Sequence, residues 1–61
     1  MTPLPKIGRP ATQALALVGY TQLEQLNGVS EKDLLALHGV GPKAIRILRE
    51  SLAEHGLAFR P

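Results

Sequence analysis

Four residues near the middle of this chain have the types and spacing of an anion site: Gly39, Gly41, Lys43 and Arg46. They lie within "LLALHGVGPKAIRIL" (34–48), where Gly39, Val40, Gly41 and Pro42 stand between two apolar periodic segments. A connection this short between two helices has few solutions. Gly39 takes the positive φ that lets the first helix stop abruptly, and Val40 is the apolar plug between the helices. Gly41 removes a side chain where a ligand must approach the backbone. Pro42 opens the next helix at a position that has no use for an N–H. The amides left unpaired there face outward at the positive end of a helix dipole, which suits an anion. A phosphate is the anion expected, because Lys43 and Arg46 lie one turn apart and Arg49 follows a turn later.

Charge order along this last helix agrees. Lys43, Arg46 and Arg49 occupy its first half while Glu50 and Glu54 occupy its second, the reverse of what the macrodipole favours. The cost is a few tenths of a kcal/mol per charge, roughly. It is the order expected where the amino end receives phosphate. Ala44, Ile45, Leu48 and Leu52, flanked by Ile47, form the stripe that faces the core.

The elements that position this stretch follow from local signals. Residues 1–9, "MTPLPKIGR", carry two prolines and a glycine and read as an extended arm, anchored by Leu4 and Ile7. A helical domain over 10–59 follows, with the intact hairpin at 38–42. Pro10 opens a first helix to about Val18, and Gly19 closes it in a left-handed conformation. Thr21 and Glu24 have capping-box spacing before a short second helix carrying Leu23 and Leu26, which Asn27 and Gly28 stop. Ser30 caps a short third helix, with Asp33 three residues on, ending near His38. The fourth and longest runs from Pro42 to about His55, closed by Gly56. Leu57 or Phe59 packs back on the core. Nothing alternates with period two, so the fold expected is all-α: a compact bundle of four main short helices.

An internal echo suggests how the bundle is built. "LALVGY" (15–20) and "LALHGV" (35–40) match at Leu15/Leu35, Ala16/Ala36, Leu17/Leu37 and Gly19/Gly39, an offset of 20 residues. Two helical hairpins around a shared core would follow, a sterile-alpha-motif-like arrangement. The first unit is degenerate: Thr21, Gln22 and Leu23 stand where the second has Gly41, Pro42 and Lys43. It is expected to supply structure only.

On these residues the chain resembles the helix-hairpin-helix DNA-binding motif, whose hairpin reads hydrophobic, any residue, Gly, hydrophobic, Gly. The wider span from "IGRPATQAL" to "ESLAEHGLAF", about residues 7–59, resembles the C-terminal domain of the bacterial RNA polymerase α subunit and its small stand-alone relatives. The resemblance implies that hairpin amides hold a DNA phosphate without reading sequence, which carries onto Gly39, Val40, Gly41 and Lys43, with Arg46 as neighbour. It also implies a minor-groove arginine at the start of the first helix and a polar residue a turn later. Arg9 and Gln13 are the nearest matches. Pro10 stands where a simple alignment puts the arginine, which sets promoter-element recognition aside and leaves backbone binding.

Composition bounds the rest. At 61 residues with 44% apolar content there is room for one small domain, which buries only about 60% of its unfolded surface. A formal charge of +2 leans toward an anionic partner. The lack of cysteine removes disulfides and thiolate metal sites and suits a cytoplasmic protein; a bacterial source is what the resemblance implies. No membrane span or signal peptide is read, and the opening Met fits a complete chain. His38 and His55, 17 residues apart with no third ligand, do not make a zinc site. His38 reads as a cap or half-buried group beside the hairpin, with phosphate contact as the alternative, His55 as a helix-end residue and Tyr20 as a core plug. Lys6 and Lys32 read as ordinary surface. No nucleophile is paired with a histidine, and caps and helix surface account for the acids. The expectation is therefore no enzyme, no cofactor, no metal, and duplex DNA as partner. A helical protein-interaction module of a transcription or repair complex is the alternative, and RNA remains open because phosphate is common to both. The few phosphates touched imply modest, salt-dependent affinity, so useful binding would need a dimer, a neighbouring domain or a protein partner.

Overall fold

In the computed structural model, which describes residues 2–60, the chain forms three α-helices and one turn of 3-10 helix. Helix α1 spans Arg9–Leu17, the 3-10 turn Leu23–Leu26, α2 Glu31–Leu35 and α3 Pro42–Glu54. The fold is all-helical and compact, 27 × 23 × 19 Å along its principal axes. Two isolated β-bridges, Pro3 with Gln22 and Ser30 with Arg60, are the only extended pairings among the described residues.

Helix α3 is the keel. Its predicted stripe holds: Ala44, Ile45, Leu48 and Leu52 are buried, and Ile47 is half-buried beside them. The 3-10 turn and α2 both pack on it. Leu15 from α1, Leu23 and Leu26 from the 3-10 turn, and Leu34 from α2 complete the centre. The expected anchors Leu4 and Ile7, and both tail residues Leu57 and Phe59, pack against this cluster. No polar or charged residue is buried among the described residues, so the core rests on apolar burial alone.

Several local expectations are corrected. The second element is a single 3-10 turn, and its cap is not the Thr21–Glu24 pair. The Gln25 side-chain oxygen accepts from the amides of Thr21 (2.7 Å) and Gln22 (2.9 Å). Glu24 faces the other way and takes the amide of Thr2 at 2.9 Å together with the Thr2 hydroxyl. A glutamine one residue on does the same capping work, and it frees the glutamate to hold the chain start. The arm is clamped in place: Leu23 N–H donates to Thr2 O at 2.8 Å. The tail fastens to the far end of the same stretch, through Gly28 N–H to Ala58 O (2.8 Å) and Arg60 N–H to Val29 O (2.9 Å). Both ends of the chain are thus tied to residues 22–30.

Helix α2 starts as expected, with Asp33 N–H on the Ser30 hydroxyl at 3.4 Å. It ends at Leu35, however, and not near His38. Arg9 is the first residue of α1, so that helix begins one residue before Pro10.

The internal echo is a match of letters more than of structure. In α1 the Gly19 and Tyr20 amides donate to Ala16 O and Leu15 O, the paired bonds of a Schellman stop. Helix α3 ends identically, with Gly56 and Leu57 donating to Ala53 O and Leu52 O. The structural counterpart of "LALVGY" is therefore "LAEHGL" (52–57). In "LALHGV" the helix has already ended, and Val40 N–H bonds only to Leu37 O at 3.2 Å. Burial diverges accordingly: Leu15 is fully buried while Leu35 is 44% exposed.

Candidate nucleic-acid interface

The connection between α2 and α3 is a tight turn with one residue in the left-handed region. Gly39 has φ +98°, and a β-carbon there would lie 2.8 Å from the carbonyl oxygen of Pro10. Both conformation and space demand glycine at 39. Val40, the expected plug, is buried and its amide is occupied by Leu37. It shapes the turn and leaves no donor for a ligand.

Gly41 is a different case. Its backbone is extended (φ −109°, ψ 178°), a conformation open to any residue. A β-carbon on it would meet nothing within 4 Å. The fold places no demand for glycine there. It is the N-cap of α3 and provides no side-chain cap. The first helical bond, Ile45 N–H to Gly41 O at 3.1 Å, leaves the amides of Gly41 and Lys43 without an acceptor among the described residues, and the Gly39 amide is in the same position. The unpaired amides of Gly39, Gly41 and Lys43, without that of Val40, thus lie around one turn at the positive end of a helix of 13 residues.

Tertiary packing adds what the chain order separates. The contact of Gly39 with Pro10 sets the start of α1 against the hairpin. Arg9 adjoins Pro10 in the first turn of α1 and is exposed. Gln13, a turn later, shares an open hollow of about 280 Å³ with Pro10, Ala14, Leu17, His38 and Gly39. The start of α1, with Arg9 and Gln13, is thereby brought beside the hairpin. Lys43 and Arg46 are exposed and carry no ion pair among the described residues. Arg49 is engaged elsewhere: its guanidinium meets Glu31 at 2.7 Å, tying α3 to the start of α2.

The helices differ in how they begin. Helix α2 has a serine cap and two acids in its first turn. Helices α1 and α3 have glycine caps, proline within the first two positions and no acid in the first turn. No Asp or Glu occurs before Glu24, nor anywhere from Leu34 to Arg49. The two segments that build the hairpin face are therefore free of acid, and all five acids lie in other segments.

In this region His38 is placed otherwise than expected, and Leu17 escaped the sequence reading. His38 neither caps a helix nor sits half-buried; it is exposed at the hollow, because α2 ends before reaching it. Leu17 is 88% exposed. A signal for it existed: at 100° per residue Leu17 lies about 200° round from Leu15 and about 60° from Ala14, at the margin of the buried stripe of Ala11, Ala14 and Leu15.

His55 occupies the end of α3 as read, with Nδ1 2.8 Å from Ser51 O. Among the described residues no cluster of His, Cys, Asp or Glu is arranged to hold a metal, and no helix is long and apolar enough to cross a membrane. No family model matches the chain, no curated protein matches it, and no solved structure matches it.

Proposed function

We propose that this chain is a non-catalytic helix-hairpin-helix domain that binds the phosphate backbone of duplex DNA without reading base sequence. The amides of Gly39, Gly41 and Lys43 would hold a phosphate, with Lys43 and Arg46 bordering it and Arg9 and Gln13 reaching an adjacent part of the strand. Val40 would contribute by holding the turn in shape. The observation that carries this reading is Gly41. It is a glycine that neither backbone conformation nor internal packing requires, set beside unpaired amides at the start of a helix whose first turn holds no acid. A missing side chain at that point leaves the room in which a phosphate meets the amides. The kinship to the RNA polymerase α C-terminal domain, the two-unit description of the fold and a bacterial cytoplasmic setting belong to the same proposal.

The test is a salt titration of binding to a short fluorescent duplex, for the native chain and for Lys43→Glu combined with Arg46→Glu. Both side chains are exposed, so the fold should survive the change. Steep loss of affinity with salt, abolished by the double substitution, supports phosphate binding. No binding by the native chain at low salt overturns it.

One observation favours the second reading, a helical protein-interaction module. Leu17 and Val18 are adjacent exposed apolar residues at the end of α1, Leu17 lines the hollow beside the hairpin, and a contiguous apolar patch would mark an interaction site. Binding of an acidic protein partner that is unaffected by Gly41→Ala would favour it over DNA.

A further inference from the structure

We infer that the hollow between α1 and the hairpin, with Leu17 at its edge, is the apolar part of the same DNA footprint and rests against deoxyribose. This rests on the proposed DNA reading and adds to it a contact that involves no phosphate.

Leu17 leaves nearly all of its side chain in water, and it lines one hollow with Gln13, His38 and Gly39. Gln13 and Gly39 are proposed contacts, so a duplex seated on the hairpin amides and on α1 passes over the hollow between them. Charge decides what covers it. No Lys, Arg, Asp or Glu lines it, and the chain segments around it, before Glu24 and from Leu34 to Arg49, carry Arg9, Lys43 and Arg46 and no acid. A second copy of the chain would have to bring this basic face against itself. A standard interface also needs about 800 Å² from each partner, about a fifth of the 4113 Å² that the chain exposes, whereas the exposed large apolar side chains among the described residues are Leu17, Val18 and Leu35. An anionic polymer with an apolar sugar wall between its charges complements both features. Phosphates meet the basic residues and amides, and the sugar between successive phosphates meets Leu17.

This contact has a separable signature. Phosphate contacts set the slope of log affinity against log salt, and an apolar contact shifts affinity without changing the slope. The experiment measures duplex binding across a salt series for the native chain, Leu17→Ser and Leu35→Ser. Leu35→Ser is the control, an exposed leucine that does not line the hollow. Leu17→Ser should weaken binding about three- to tenfold at every salt concentration, with the slope unchanged and the thermal midpoint kept. Leu35→Ser should match the native chain. Native-like binding by Leu17→Ser, or an equal loss in Leu35→Ser, overturns the inference and leaves phosphate binding intact, returning the hollow to a protein partner. Failure of the native chain to bind at any salt overturns both.

Discussion

Gly39 and Pro10 are in backbone contact: a β-carbon on the glycine would sit 2.8 Å from the proline carbonyl oxygen. This one approach joins the hairpin to the start of α1, and it separates the two hairpin glycines by role. Gly39→Ala places a side chain at φ +98° and against rigid backbone. The expected cost is about 2–4 kcal/mol, a fall in thermal midpoint of at least about 10 °C for a chain of this size.

Gly41→Ala should do the opposite. Its backbone is extended and its surroundings are open, so stability should stay within about 0.5 kcal/mol of the native chain. Duplex affinity should fall, because the methyl group fills the approach to the amides. Calorimetry and a binding titration on the two alanine variants check the pair. A Gly41→Ala chain that binds DNA normally would remove the main support for phosphate contact.

Glu24 gives a prediction for pH. Its carboxyl is lowered from 4.5 to about 2, chiefly by the hydrogen bond from the Thr2 hydroxyl and then by the Thr2 amide. A group whose folded pKa lies below its unfolded one stabilises the fold above the unfolded value, and that contribution disappears as pH falls toward the folded value. The clamp of the arm on the 3-10 turn should therefore weaken between about pH 4.5 and pH 2. Carboxyl NMR should report the depressed titration, and Thr2→Ala should return Glu24 toward its ordinary range. A titration near 4.5 in the native chain would mean that the clamp does not form.

The pair of Arg49 with Glu31 lies on the surface, so Arg49→Gln should cost no more than about 1 kcal/mol. Its effect on the salt slope of DNA binding should be smaller than that of Lys43→Gln, since its guanidinium is already committed. Equal slopes for the two variants would place Arg49 in the interface as well.

Core truncation should be severe. Leu48 is fully buried on α3, and Leu48→Ala should remove about 2–5 kcal/mol. A domain of this length has roughly 3–9 kcal/mol in total, so the variant should be partly or wholly unfolded at 37 °C by circular dichroism.

The amino-acid sequence by itself determined what depends on neighbours within a turn or two. The stripe of Ala44, Ile45, Leu48 and Leu52, the glycine stops at 19 and 56, the Ser30 cap and the plug at Val40 all arise from side-chain periodicity or local hydrogen bonds, and each is where the chain places it. The unpaired amides of Gly39, Gly41 and Lys43 follow from the same local rules. Tertiary structure decided what needs a distant partner. Glu24 and Gln25 were equally able to cap the 3-10 turn, and the choice fell to Gln25 because Thr2, 22 residues away, takes the glutamate. "LALVGY" and "LALHGV" differ at only two of six positions, yet α1 runs to its glycine stop while α2, capped by Ser30, ends after five residues at Leu35, and Leu35 and His38 are exposed. The meeting of Arg9 and Gln13 with the hairpin depends on the approach of Gly39 to Pro10. Packing across the core, and no local rule, brings those two backbones together.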